Sequence, residues 1–261
     1  MAAAFTMLGA SFSLVLLLMV SLWIIYLFQR NGGIVDIGWG IGFLICSWAY
    51  FLLGDGDFVK RLVITLMATL WAGRLISHLY LRFRATEEDP RYSDMRKRMG
   101  GDSTNLLFLM MFIFQGFLVV LISLPFFIVG HGARAGWTHW EWIGIALWAI
   151  GVVGESYADA QLAAFVKDPA NKGQVCKTGL WRYSRHPNYF FEVVVWIGFY
   201  FFALPAEGGA FAIIAPLVVG YLVIKVSGIP LAETQSLQSK GDAYKEYQRT
   251  TSAFIPWFPK K

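Results

Sequence analysis

The chain changes from a basic loop into an apolar helix at residues 179–192, which read Gly-Leu-Trp-Arg-Tyr-Ser-Arg-His-Pro-Asn-Tyr-Phe-Phe-Glu. Pro187 can begin that helix, because the first helical position needs no backbone N–H donor. Asn188 and Glu192 then stand one turn apart on one face. Three basic side chains lie just before the helix start: Arg182, Arg185 and His186. The free N–H groups at a helix start favour an anion, so this stretch predicts a phosphate site beside a membrane.

The composition is that of a membrane protein. Hydrophobic residues make up 57% of the 261 residues and charged residues 15%, whereas about a quarter of a soluble domain is charged. The first 29 residues carry no charge, and this run is too long and too neutral at its start for a signal peptide. The net charge of +5 fits basic loops between spans better than nucleic-acid binding. Neither the two cysteines nor the four histidines predict a metal site.

Long apolar runs predict an all-α, polytopic integral membrane protein, because a span needs roughly 20 apolar residues. About seven transmembrane helices are expected, at 8–27, 33–53, 62–80, 106–129, 142–165, 189–204 and 209–224. The sixth of these spans is short. No internal repeat or low-complexity linker divides the chain, so a single transmembrane helical domain over residues 1–261 is expected.

Basic residues set the expected orientation. Lysine and arginine are concentrated in the loops after the third and fifth spans and in the C-terminal tail, which therefore face the cytoplasm, with the N-terminus outside. The ionisable residues of the spans then fall in the cytoplasmic half: Asp36, Arg74, His78, Glu155, Asp159 and Glu192. Charged groups in hydrocarbon are costly and usually mark a site, so a polar cavity open to the cytoplasm is predicted. The alternative is that these groups only pair across helices for packing.

The second span carries two weaker signals. Gly38, Gly40 and Gly42 do not have the spacing of a dinucleotide fingerprint and have no strand before them, so close helix packing is the expected role. Trp39 neighbours Asp36 and could line the predicted cavity. Tryptophan is also common at membrane interfaces, and the two interpretations stand side by side.

Two cytoplasmic stretches remain. The mixed-charge residues 82–103 are interpreted as a solvated connection rather than a lid. Residues 230–247 are typical of a short amphipathic helix along the membrane, and Glu233 on it is a further candidate for the cavity.

Together these motifs resemble the membrane steroid 5-alpha-reductases. Residues 179–192 resemble the C-terminal domain of that family. The bacterial, DUF1295-like members are also matched by Val-Asp-Ile-Gly-Trp-Gly at 35–40 and by the closing motif Tyr-x-x-Tyr-Gln…Ser-Ala-Phe-Ile-Pro-Trp at 244–257. The resemblance implies seven transmembrane helices, NADPH in a cytoplasm-facing cavity, and reduction of the C4–C5 double bond of a 3-oxo-delta-4 steroid. The cofactor-binding half would cover approximately residues 142–261.

Carried over by position, the resemblance implies individual roles. Its cofactor contacts fall on Arg74, Asp159, Arg182, Arg185, His186, Asn188, Tyr189 and Glu192. His78, one turn from Arg74, and Glu233 are further cofactor candidates from their own placement. Asp36 falls where the animal enzymes have a catalytic glutamate, although Val35 stands where they have glutamine. Trp71 stands where they have a tyrosine, and Trp71 and Trp39 are the candidate substrate contacts.

The predicted reaction needs a hydride donor, a polarised carbonyl and a final proton. NADPH would supply the hydride, and a donor aimed at the enone oxygen would stabilise the charge that develops there. That donor could be Asp36 if burial keeps it protonated, the indole N–H of Trp71, or His78, which could instead contact a phosphate. The arginines favour a 2′-phosphorylated cofactor. A steroid or enone lipid and the bilayer are the expected partners of a monomeric protein in a bacterial inner membrane or an endoplasmic reticulum.

Two alternatives remain open. The His-Pro-x-Tyr core also occurs in sterol C14-reductases and in isoprenylcysteine and phospholipid methyltransferases, and the methyltransferases use S-adenosylmethionine. A non-enzymatic lipid- or sterol-binding membrane protein is the second alternative.

Overall fold

The structure is a computed structural model that describes residues 2–85, 88, 90–99 and 102–260. Within those residues the regular structure is helical and contains no strand. The α-helices are α1 (Ala2–Gln29), α2 (Ile34–Leu53), α3 (Phe58–Ala85), α4 (Pro90–Met99), α5 (Asp102–Ile122), α6 (Leu124–Gly132), α7 (His139–Lys167), α8 (Pro187–Ala203), α9 (Ile214–Tyr221), α10 (Ile229–Lys240) and α11 (Asp242–Thr250). A π-helical turn at Leu222–Val226 continues α9, and short 3-10 turns lie at Pro169–Asn171, Gly179–Arg182 and Gly209–Ile213.

The helices confirm a multi-pass integral membrane protein. In the described part of the chain, six stretches are long and apolar enough to cross a membrane: Ala3–Gln29, Ile34–Leu53, Phe58–Arg84, Thr104–Ile122, His139–Lys167 and Gly209–Lys240. Helix α8 is the short predicted sixth span, with 17 residues, and it begins at Pro187 as its sequence indicated. The orientation, with the N-terminus outside, stays a prediction.

The predicted fourth span is interrupted. Helix α5 ends at Ile122 and α6 starts at Leu124, with Pro125 in its first turn. Proline has no backbone N–H and its ring clashes with the preceding turn, so it ends one helix and begins the next. The apolar run at 106–129 therefore forms two helices.

The chain divides into two compact units. Unit 1 is Met1–Trp137 with Ala203–Ala212, and unit 2 is Thr138–Phe202 with Ile213–Lys261. The single domain expected over residues 1–261 stays a prediction.

Within unit 1, glycines let other helices approach α2 closely. A Cβ atom added at Gly38, Gly40 or Gly42 would lie 2.3, 2.6 or 2.9 Å from a side chain of α1, α3 or α5, respectively. Small residues are what allow helices to pack at this distance inside a membrane. These three glycines therefore serve helix packing, as their sequence pattern indicated.

Within unit 2, glycines join α7 to α8. A Cβ atom at Gly144, Gly151 or Gly198 would lie 2.5, 2.7 or 2.5 Å from a backbone nitrogen of the facing helix. The two backbones are thus nearly in contact. This close approach brings polar side chains of α7 within hydrogen-bond reach of the start of α8.

Candidate functional site

The loop before α8 is docked onto α7. The indole N–H of Trp181 donates to the carbonyl of Ala158 at 2.9 Å, and the backbone N–H of Leu180 donates to Oε1 of Gln161 at 3.0 Å. Gly179 has φ +57, and a Cβ atom there would lie 2.0 Å from the amide of Gln161. Only glycine suits both that backbone conformation and that contact. The start of residues 179–192 is therefore fixed by α7.

The closing motif at 244–257 holds the same loop from the other side. The hydroxyl of Tyr247 lies 3.2 Å from the carbonyl of Ser184, and the hydroxyl of Ser184 donates to the carbonyl of Phe254 at 2.8 Å. The backbone N–H of Arg185 donates to the carbonyl of Ser252 at 2.9 Å. Burial raises the pKa of Tyr247, so its hydroxyl keeps its proton at neutral pH. The motif that supports the family resemblance thus orders the loop.

Arg185 is engaged inside the protein. Its Nε and Nη2 atoms both lie 2.6 Å from Oε1 of Glu233. Its Nη1 atom donates to the carbonyls of Gln248 at 3.0 Å and Thr251 at 2.5 Å. The side chain is only 10% exposed. All three guanidinium nitrogens have protein partners, which leaves Arg185 little capacity for a phosphate.

Glu233 lies at the centre of this network. Its Oε1 atom is 3.4 Å from Nε2 of His186, and its Oε2 atom accepts from Nε2 of Gln248 at 2.9 Å. The ring of His186 is buried and stacks on Tyr189, with centroids 5.5 Å apart and planes 8° from parallel. Arg182, by contrast, is exposed and forms no hydrogen bond or ion pair with another described residue. Of the two arginines before α8, Arg182 is the one available to an anion.

A second polar group links α7 and α8. Nδ2 of Asn188 donates to Oδ1 of Asp159 at 3.1 Å. Oδ1 of Asn188 is inaccessible to solvent and has no hydrogen-bond donor among the described residues. Glu155 is buried one turn before Asp159, and Glu192 is half-buried one turn after Asn188. No group of His, Cys, Asp and Glu in the described chain has the arrangement of a metal site.

A cleft of about 610 Å³ opens beside Arg185. Residues 248–253 form most of its wall, together with Ile255, Trp257, Phe258 and Lys260. Neither Asn188 nor Asp159 lines this cleft, so it is distinct from the Asn188–Asp159 group.

In unit 1, Asp36 is half-buried at the start of α2. Its Oδ1 atom accepts a hydrogen bond from the hydroxyl of Tyr92 at 2.8 Å. Trp39 packs edge-on against Phe43 at 5.3 Å, and Phe43 packs edge-on against Trp71 at 5.4 Å. The ring of Trp71 is fully buried, whereas Trp39 is half-buried. Of the two candidate substrate contacts, Trp39 is therefore the more accessible.

A protein-family model described as "Protein of unknown function (DUF1295)" matches residues 22–251. The chain belongs to this family. DUF1295 includes steroid 5-alpha-reductase-like membrane proteins, which agrees with the broad resemblance seen in the sequence.

One curated protein is also similar to this chain. The Schizosaccharomyces pombe "Uncharacterized protein C594.04c" is 25% identical over an alignment of 261 positions, which covers 90% of this chain and 75% of the relative. No solved structure matches the chain.

In this DUF1295 chain, two residues that contact the candidate site residues, Gln248 and Tyr92, were not predicted from the sequence. Gln248 stands in the closing motif, and its position there was the one available signal. Tyr92 lies in the stretch interpreted as a solvated connection, yet it is only 4% exposed. No pattern in the sequence indicates its contact with Asp36. Two candidates of unit 1 remain, and they lie one turn apart on α3. Arg74 is half-buried and His78 is exposed.

Proposed function

We propose that this protein is an integral-membrane oxidoreductase that uses NADPH to reduce the C4–C5 double bond of 3-oxo-delta-4 steroids or related enone lipids. The observation that carries the proposal is the buried Oδ1 atom of Asn188, which lacks a donor among the described residues. A buried acceptor left unpaired costs about 1–3 kcal/mol, so a ligand that donates there would bind favourably. The amide and ribose hydroxyls of a nicotinamide nucleotide are such donors.

The residues present fit the cofactor in a specific way. Asn188 and Asp159 would hold hydroxyl or amide groups, and Arg182 would hold a phosphate. Guanidinium–phosphate contacts are short and directional, which suits the 2′-phosphate of NADPH. The family resemblance supports the same assignment at Asn188 and Asp159. When bound, the nicotinamide supplies the hydride.

The neutral carboxyl group of Asp36 is the proposed hydrogen-bond donor to the enone oxygen: Oδ1 accepts from Tyr92, and a proton on Oδ2 would face that oxygen, because an ionised carboxylate can only accept. Negative charge develops on that oxygen during reduction, and a hydrogen-bond donor placed there stabilises the transition state more than the ground state. Asp36 is half-buried and is held by Tyr92, so its carboxyl group is confined. The position of Asp36 in the family pattern also supports this role.

A methyltransferase that uses S-adenosylmethionine is the second candidate. One observation favours it: Arg185 is engaged by Glu233 and two carbonyls, so the argument for a 2′-phosphate depends on Arg182 alone. S-adenosylmethionine has donors that could meet Asn188 and carries no phosphate.

Cofactor binding tests the proposal directly. Thermal unfolding of the detergent-purified protein is measured with NADPH, NADH and S-adenosylmethionine, because a ligand at 100 times its Kd stabilises the folded state by about 2.7 kcal/mol. We expect NADPH to raise the Tm most, and a panel of 3-oxo-delta-4 steroids and simpler enones then tests reduction. A shift with S-adenosylmethionine alone would replace the reductase with the methyltransferase.

Matched variants locate the phosphate contact. Arg182→Ala should reduce the preference for NADPH over NADH, whereas Lys172→Ala should not. Lys172 is an exposed cation of the same unit, and its replacement changes the net charge equally.

A further inference from the structure

Helix α4 and Glu88, two positions before its first residue, reach back to the start of α2. The hydroxyl of Tyr92 donates to Oδ1 of Asp36 at 2.8 Å across 56 positions of sequence. Two further hydrogen bonds hold the same region: from the N–H of Gly32 to Glu88 at 2.7 Å, and from Arg96 to the carbonyl of Arg30. The contact between Tyr92 and Asp36 is therefore part of a built connection.

The ring of Tyr92 has little freedom to move. It is 4% exposed, and its centroid lies 6.3 Å from that of Phe108. A Cβ atom at Gly32 would lie 2.7 Å from Cγ of Tyr92 and 2.7 Å from Cε1 of Phe108. The absence of a side chain at Gly32 is what admits the ring. The contacts with Phe108 and Gly32 thus restrict the ring, and with it the direction of the hydroxyl group.

We propose that Tyr92 is a positioning residue for Asp36, holding its carboxyl group in the orientation that the enone oxygen requires. This inference rests on the proposed function. A carboxyl group on a helix can turn about two side-chain torsions, and a rigid phenol bonded to one oxygen restricts both. Misplacement of a reacting group by about 1 Å can cost 100-fold in rate, so orientation alone is a sufficient role.

Tyr92→Phe tests the role, because it removes the hydroxyl and keeps the ring. We expect kcat for enone reduction to fall about 10- to 100-fold, with the KM for NADPH unchanged. Tyr80→Phe is the matched control, since Tyr80 belongs to the same unit, is 49% exposed and has no hydrogen bond to a described residue. Gly32→Ala should displace the ring of Tyr92, because the added Cβ atom would overlap it, and should lower kcat to a similar extent. This variant replaces Tyr92→Phe in the test if Tyr92→Phe does not fold.

A double-mutant cycle shows whether Tyr92 acts through Asp36. In an Asp36→Asn background, Tyr92→Phe should lower kcat by less than twofold further, because coupled residues are not additive. Full kcat in Tyr92→Phe, or additive losses, would overturn the inference while leaving the reductase in place. A folded wild-type protein that reduces no enone would instead overturn the proposed function, and the role of Tyr92 with it.

Discussion

Replacement of Arg185 by alanine should destabilise the protein but leave the proposed phosphate contact of Arg182 intact. The variant leaves the carboxylate of Glu233 without its cation and two backbone carbonyls without their donor. The side chains of Arg185 and Glu233 are 10% and 17% exposed. Breaking a buried ion pair by removing one partner costs about 3–5 kcal/mol, and we expect a loss near 3 kcal/mol for this partly exposed pair.

Arg182→Ala provides the contrast. Arg182 is exposed and has no partner in the described chain, so its loss should change the free energy of unfolding by less than about 0.5 kcal/mol. The affinity of the Arg182→Ala variant for NADPH should fall about 10- to 100-fold, because a hydrogen bond to a charged group contributes about 1.5–3 kcal/mol. The sequence alone gives the two arginines the same role.

Denaturant unfolding and NADPH titration, carried out on the same detergent preparations, show whether each arginine contributes to stability or to cofactor binding. The double variant Arg185→Leu with Glu233→Leu should lose less stability than the two single variants together, since no charge is left unpaired. The reasoning is refuted if Arg185→Ala unfolds like the wild type and no longer binds NADPH.

Three further predictions follow from single contacts. Asn188→Ala should abolish the thermal shift with NADPH while the protein stays folded, and an unchanged shift would remove Asn188 from the site. Gly198→Val should destabilise the folded protein by at least about 1–3 kcal/mol, because even a Cβ atom there would lie 2.5 Å from the backbone of α7. Wild-type stability of this variant would contradict the close contact of α7 with α8. The hydrogen bond from His131 to Asp55, at 2.8 Å, lowers the pKa of Asp55 below its usual 3.8. This stabilisation of the folded state is fully present above the pKa that Asp55 has in the unfolded protein. It is lost as the pH falls through the lower pKa that Asp55 has in the folded protein. The Tm of the wild type should therefore decline more steeply than that of Asp55→Asn between about pH 5 and 3, and parallel curves would contradict the assignment.

The spans could be predicted from sequence because lipid leaves the backbone no alternative. Every N–H and C=O group in hydrocarbon must be bonded within its helix, so apolar runs become helices of matching length. The start of α8 was equally accessible, because Pro187 favours a first helical turn. The break at Pro125 could also have been inferred, but the apolar run around it concealed the interruption.

The partners of individual side chains were beyond sequence reasoning. A basic residue before a helix start can bind a ligand or an internal carboxylate, and the pattern is the same for both. Arg185 has an internal carboxylate because α10 brings Glu233 to it, across 48 positions. The contact of Tyr92 with Asp36 spans 56 positions, and no local periodicity reports such a distance.

The hydrogen bonds between the closing motif and the loop before α8 can form only late in synthesis of the chain. Tyr247 is synthesised 63 residues after Ser184, whose carbonyl it contacts. At about 5–20 residues per second, the loop leaves the ribosome several seconds before the segment that orders it exists. Helices α7 and α8 can enter the membrane during that interval, but the loop that presents Arg182 and His186 cannot yet be fixed. A nascent chain halted before the closing motif would be a membrane-inserted protein in which the loop before α8 is still unordered.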